Sequence, residues 1–262
     1  ATTVVANFAG RAALAQGPSA ARIWTKSEGS PSADARYWGF VVQDTNFGFL
    51  GLMTYDMQTD QILGTFTSVD EPNNVGMSPS GRWIVAQYSN NDRPLGPALP
   101  GGPIAFSLDF ASYQHLRPNG NVAHTDNARA ANGDDVFVGD DYNSGTLFMT
   151  HLETGVSTDL FSLWGVGSNF YAGHVSGKAF DRPGWIVASS YGGNGGWLHL
   201  KVYLVELRAN PRILHLAHDH YAGGSYFTEP HASASRDLSR ILFNSNWDVT
   251  GHANINAYMI EV

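Results

Sequence analysis

Three observations predict an all-β fold of repeated four-strand units. The first is a recurring segment: EPNNVGMSPSGRWIVAQY from residue 71, VAHTDNARAANGDDVFVGDD from 122, AGHVSGKAFDRPGWIVASSY from 172 and TEPHASASRDLSRILFNSNW from 228. Each reads as a short strand, a polar turn and an apolar strand. The second is spacing: Asn74, His124, His174 and His231 mark the same point of each copy, at intervals of 50, 50 and 57 residues. The third is composition: only 15% of residues are charged and 29 are glycine, which suits turn-rich sheet better than charged helices. A period near 50 with four short strands per unit is the signature of a β-propeller, in which each unit is one blade.

The elements follow in order. Residues 2–9, TTVVANFA, read as a lone strand, with a loop over 10–18 and a short strand over 22–26. Residues 37–44 form a strand, and 48–65 two more around a polar turn at 58–60. This first unit is the least regular copy. The second unit has strands at 74–77, 82–89, 104–109 and 113–116, with a proline-rich loop at 90–102. The third has 124–129, 136–139, 146–152 and 156–163. The fourth has 174–180, 185–190, 201–207 and 212–216. The last has 231–235, 240–246 and 256–262, one strand short. The expectation is therefore a single domain over residues 1–262, a propeller of five four-stranded blades, with the N-terminal strand completing the last blade and removing an open edge. No helix-period segment of useful length is visible.

Composition excludes several classes. Net charge is −8 with no basic patch, which argues against nucleic acid as a partner. There is no cysteine, so metal binding falls to His, Asp, Glu and Asn. No apolar run reaches the ~18 residues of a membrane span, and residues 1–17 carry no signal-peptide pattern. A trimmed secreted or periplasmic protein is the expected setting. Oligomeric state is not legible.

In a propeller the first strand of each blade lines the central channel. His124, His174 and His231 each start such a strand, so imidazoles far apart in sequence converge at one mouth of the channel. Three imidazoles can hold a divalent ion (Mn²⁺, Zn²⁺ or Ca²⁺) and leave positions open. Asn74, Asp126 and Glu229 are candidate oxygen ligands, or partners that orient the imidazoles. A structural reading stands beside this one: each histidine pins its own blade. His218 and His220, in the loop entering the last blade, are candidate general bases near neutral pH. Tyr88, Tyr142, Tyr191 and Trp247 end the second strands and supply aromatic faces suited to sugar rings.

The segment SPSGRWIVAQY at 78–88 resembles the TolB-like or WD40-like bacterial propeller repeat, and SRDLSRILFNS at 235–245 is similar to it. EPHASASRDLSRILF resembles the His-rich segment of propeller-type oligogalacturonate lyases, with Thr228 where that family has a glutamine and Ser233 where it has a second histidine. The likeness implies a metal-dependent lyase acting on acidic oligosaccharides, with an oligo- or polysaccharide as partner. The alternative is a non-catalytic module, a lectin or a protein-binding scaffold.

Overall fold

The computed structural model describes residue 8 and residues 11–26, 30–165, 170–192, 195–251 and 254–262. Two compact units make up the chain, one of residues 1–121 with 152–155, the other of residues 122–151 with 156–262. All five sheets are antiparallel meanders, the blades of a β-propeller.

The first unit holds two blades: β1 (Ala20–Trp24) to β4 (Gln61–Thr67) through β2 (Tyr37–Asp44) and β3 (Phe49–Asp56), and β5 (Asn74–Met77) to β8 (Tyr113–His115) through β6 (Trp83–Gln87) and β7 (Pro103–Ser107). The second holds three: β9 (Val122–Arg129), β10 (Asp135–Asp141), β11 (Thr146–His151) and β12 (Ser157–Ser162); β13 (Gly173–Ser176), β14 (Trp185–Ser190), β15 (Lys201–Glu206) and β16 (Ile213–His218); and β17 (Ser233–Ala234), β18 (Arg240–Ser245) and β19 (Asn256–Glu261).

One serine-based turn recurs in the first, second and last blades, whereas the third and fourth have Ala130 and Ala179 at this place and close the turn with backbone bonds. Ser32, Ser78 and Ser235 each accept, through Oγ, the backbone N–H five residues on, at 2.9, 3.2 and 3.0 Å, and so close the turn between first and second strands. In the last blade Ser235 also donates to Asp237 Oδ1 at 2.7 Å. These are side-chain substitutes for the backbone bonds that a tight turn leaves open.

In the first four blades the second and third strands are largely buried on both faces and read as nearly continuous apolar runs, as in β14, where Ile186, Val187 and Ala188 are all buried; in the last blade β18 alternates buried and exposed residues and β19 is largely exposed. Outer strands are covered on one face only: in β12 the fully buried side chain is Leu160. Val41, Leu52, Ile84 and Phe106 sit in one core cluster of the first unit. Val136, Leu147, Ile186 and Tyr203 sit in one cluster of the second unit, and Val187, Val202, Ile241 and Phe243 in another.

Three predicted features differ. The expected loop at 10–18 contains a short helix, α1 (Arg11–Gln16). Alanine-rich RAALAQ has strong helix propensity. Gly17 ends the helix at φ +84°, donating to Ala13 O at 3.0 Å. Gln16 then bonds the carbonyls of Leu52 and Phe66 at 3.2 and 3.1 Å, tying α1 to its sheet. Second, the strand expected over 231–235 is only Ser233–Ala234, and His231 precedes it. Third, β9 starts at Val122, so His124 lies inside the strand. The predicted N-terminal strand falls, apart from Phe8, outside the described residues. Among the described residues the last sheet has three strands.

Candidate metal centre

Within the second unit, β9 and β17 both pack beside β13, so the first strands of three consecutive blades meet. That packing brings the three predicted imidazoles together. The His124 ring stands edge-on to His174, with centroids 4.3 Å apart, and His174 lies 3.9 Å from His231.

Backbone geometry aims them. In the β9–β10 pairing Val138 faces Asp126 but Asp140 faces Ala123, so two residues, His124 and Thr125, oppose Gly139. This is a β-bulge, and His124 takes its left-handed position at φ +49°. Gly139 permits the close approach: a Cβ there would stand 2.5 Å from the Thr125 methyl. His231 is also left-handed, at φ +42°. Left-handed non-glycine residues cost ~1–2 kcal/mol each, and such strain concentrates at functional sites. The segment carrying His231 is held to the neighbouring blade by serines. The Ala232 N–H donates to Ser189 Oγ at 3.2 Å and the Ala234 N–H to Ser176 Oγ at 3.3 Å. Upstream, a 3-10 turn over Tyr226–Thr228, capped by Ser225, delivers Glu229.

Glu229 Oε2 lies 2.8 Å from His174 Nε2. One ligand atom from each of His174, Glu229 and His231 can be chosen so that all lie within 4.8 Å of one another, the group among the described residues with metal-site geometry. The group takes in two of the three expected imidazoles and, of the two roles expected for Glu229, places it where it could offer a ligand oxygen. His124 stands beside the group, with its Nε2 3.3 Å from Tyr191 Oη.

Electrostatics fit this set. His174 is buried, and burial first, then the neighbouring His124 and His231, pushes its pKa down to about 2. Burial pushes Glu229 up to about 7. The His174–Glu229 contact is therefore a hydrogen bond to a neutral imidazole, not an ion pair. A metal ion needs deprotonated ligand atoms: His174 is already a neutral imidazole, and Glu229, raised to about 7, would release its proton as an ion binds. Two imidazoles and one carboxylate form a donor set that suits Mn²⁺, Fe²⁺ or Zn²⁺, with open positions for substrate. It has less of the all-oxygen character that Ca²⁺ requires. Cis ligand atoms on an ion with bonds of ~2.1 Å lie ~3 Å apart, near the observed His174–Glu229 spacing.

The other predicted site residues divide. Tyr191 belongs to the cluster, its ring 5.2 Å from His174. Tyr142 is half-buried against Phe170, ring centroids 4.9 Å apart, and burial first, then Asp140 and Glu229, raises its phenol to about 12. Asp126 does not orient an imidazole: it pairs with Lys178 and accepts the Gly177 N–H at 2.8 Å. Tyr88 is no rim residue, being fully buried in the first unit's core. Asn74, also in the first unit, opens β5 opposite Gln87. His218 and His220 form a pair of their own: His220 Nδ1 meets Asp248 Oδ2 at 2.8 Å and its ring stacks on Trp247 at 4.3 Å, while the backbone N–H of His220 donates to His218 Nδ1 at 3.2 Å. Trp247 thus packs on an imidazole and, at 4.7 Å, on Tyr258.

Glu229 is legible in the sequence as a candidate ligand or orienting group, an acid two residues before a histidine, ahead of an Asp-containing turn. The contact of Tyr226 is not. Tyr226 acts through its carbonyl, which no side-chain motif reveals.

No helix among the described residues is long and apolar enough to cross a membrane. No family model matches the chain, and no curated protein matches it. Solved structures do. An oligogalacturonate lyase in complex with manganese is 14% identical over 92% of this chain, with a TM-score of 0.58. The chain spans 66% of that lyase's length. The β-propeller domain of the Trilobed protease from Pyrococcus furiosus is 11% identical over 92% of this chain and 68% of its own, with a TM-score of 0.52. A candidate TolB from Agrobacterium tumefaciens is 14% identical over 88% of this chain and 75% of its own, at 0.51. What these structures share with the chain at such identities is its fold, and that fold is the β-propeller.

Proposed function

We propose that this protein is a metal-dependent, carbohydrate-active propeller, a lyase-like enzyme acting on an oligo- or polysaccharide that contains uronate. The observation that carries the reading is the convergence of His174, Glu229 and His231 on one point from two blades. The likeness to a manganese-bound oligogalacturonate lyase supports it at the level of the fold. His174, Glu229 and His231 would hold the ion. A divalent ion there supplies Lewis acidity to a substrate carboxylate, which acidifies the proton on the adjacent carbon. Removal of that proton falls to His124, the imidazole of the cluster outside the ligand group. Tyr142 and Tyr191 offer ring faces and hydroxyls to a sugar. His218 and His220, tied to each other and to Asp248, lie outside this assignment. A secreted or periplasmic setting and a single domain over residues 1–262 complete the proposal.

Two measurements test it. Elemental analysis of protein purified without added metal should find close to one equivalent of a transition metal, released in His174→Ala. Incubation with a panel of oligouronides should raise ultraviolet absorbance as unsaturated ends form. A metal-free protein that no metal restores would end the metal assignment; metal without unsaturated products would end the lyase assignment alone.

A further inference from the structure

We infer that Tyr191 is the proton donor to the leaving oxygen, working with His124 as a two-residue proton carrier. The inference rests on the lyase reading.

Its basis is geometric. Tyr191 follows β14 directly, and its N–H donates to the Ala172 carbonyl at 3.0 Å, which fixes the residue where the chain leaves the sheet. Its ring tilts 31° against His174. Its hydroxyl reaches His124 Nε2 at 3.3 Å. The phenol is therefore hydrogen-bonded to one imidazole of the cluster while its ring touches a residue of the ligand group. The residue as a whole is half-buried. The bulge at His124 makes the contact possible, because it turns that residue out of the regular pleat.

Elimination needs one proton taken from carbon and one given to oxygen. His124 Nε2 accepts the proton from the carbon next to the carboxylate. The electron pair left behind forms the carbon–carbon double bond, and the bond from the neighbouring carbon to the glycosidic oxygen breaks. That oxygen takes the Tyr191 hydroxyl proton. The proton on His124 then crosses the hydrogen bond to the Tyr191 oxygen, restoring both residues. One proton has moved from carbon to oxygen, and no other reagent is consumed.

Leaving-group dependence tests this. Tyr191→Phe and His124→Gln are assayed, with metal content and thermal unfolding recorded, on two uronides: one with a sugar as leaving group, one with nitrophenolate. Nitrophenolate departs without a proton. Tyr191→Phe should lose roughly 100-fold or more in kcat on the sugar substrate and less than about 5-fold on the nitrophenolate substrate, with metal content unchanged. His124→Gln should lose activity on both. Equal losses for Tyr191→Phe on both substrates, or full activity on the sugar substrate, would overturn the assignment of Tyr191. A wild-type protein inactive on both overturns the lyase reading and this assignment with it.

Discussion

His231 donates its Nε2–H to the carbonyl oxygen of Tyr226, at 2.8 Å. A carbonyl can only accept, so this bond fixes the tautomer and leaves the lone pair on Nδ1. An ion at this site is therefore bound through Nδ1 of His231. Asparagine places its amide near the Nδ1 position and glutamine near Nε2. His231→Asn should retain metal within about tenfold of wild type, and His231→Gln should lose roughly 100-fold. Calorimetric titration with Mn²⁺ or Zn²⁺ checks the order; a tighter glutamine variant would reverse the assignment.

The left-handed backbone at His124 predicts an inversion of the usual ranking of alanine and glycine. Inside a strand alanine is normally the more stable of the two. At φ +49° alanine is strained and glycine is not. His124→Gly should therefore be more stable than His124→Ala by about 1 kcal/mol. Denaturant midpoints of the two variants, compared at equal slope, measure this.

The serine contacts between β17 and its neighbour predict a local cost. Ser189 is fully buried, and its hydroxyl accepts the Ala232 N–H. Ser189→Ala strands that donor, which costs about 1–3 kcal/mol. Because Ala232 adjoins His231, metal affinity should fall together with stability. Ser235→Ala, at the exposed turn, should lower stability without changing affinity.

Asp219 predicts a pH dependence. It is fully buried, with Oδ1 accepting the Tyr221 N–H at 3.0 Å, and burial pushes its pKa up to about 6. The folded state then holds a proton that the unfolded chain loses near pH ~4. Stability falls as pH rises from ~4 to ~6, and above that window the ionised group costs up to about 3 kcal/mol. Asp219→Asn, which keeps an acceptor for Tyr221, should stabilise the protein at pH 7.5 and leave it unchanged at pH 4. Thermal unfolding at the two values tests the sign.

The division of labour between sequence and tertiary structure can be seen residue by residue. The recurring strand–turn–strand segment determined the blades by itself, because turn chemistry and apolar strand patterning are local and repeat wherever the pattern repeats. The same spacing was enough to bring His124, His174 and His231 together, since equivalent positions on neighbouring blades become neighbours in space. Only the tertiary structure decided which atoms meet. It set Glu229 against His174 after the 3-10 turn at 226–228, and it set His124 beside Tyr191 at a bulge. Tyr88 and Tyr191 end equivalent strands, yet one is sealed in an apolar core and the other stands beside an imidazole. Side-chain direction depends on bulges, caps and the packing of adjacent blades, and those long-range contacts leave no periodic trace in the chain.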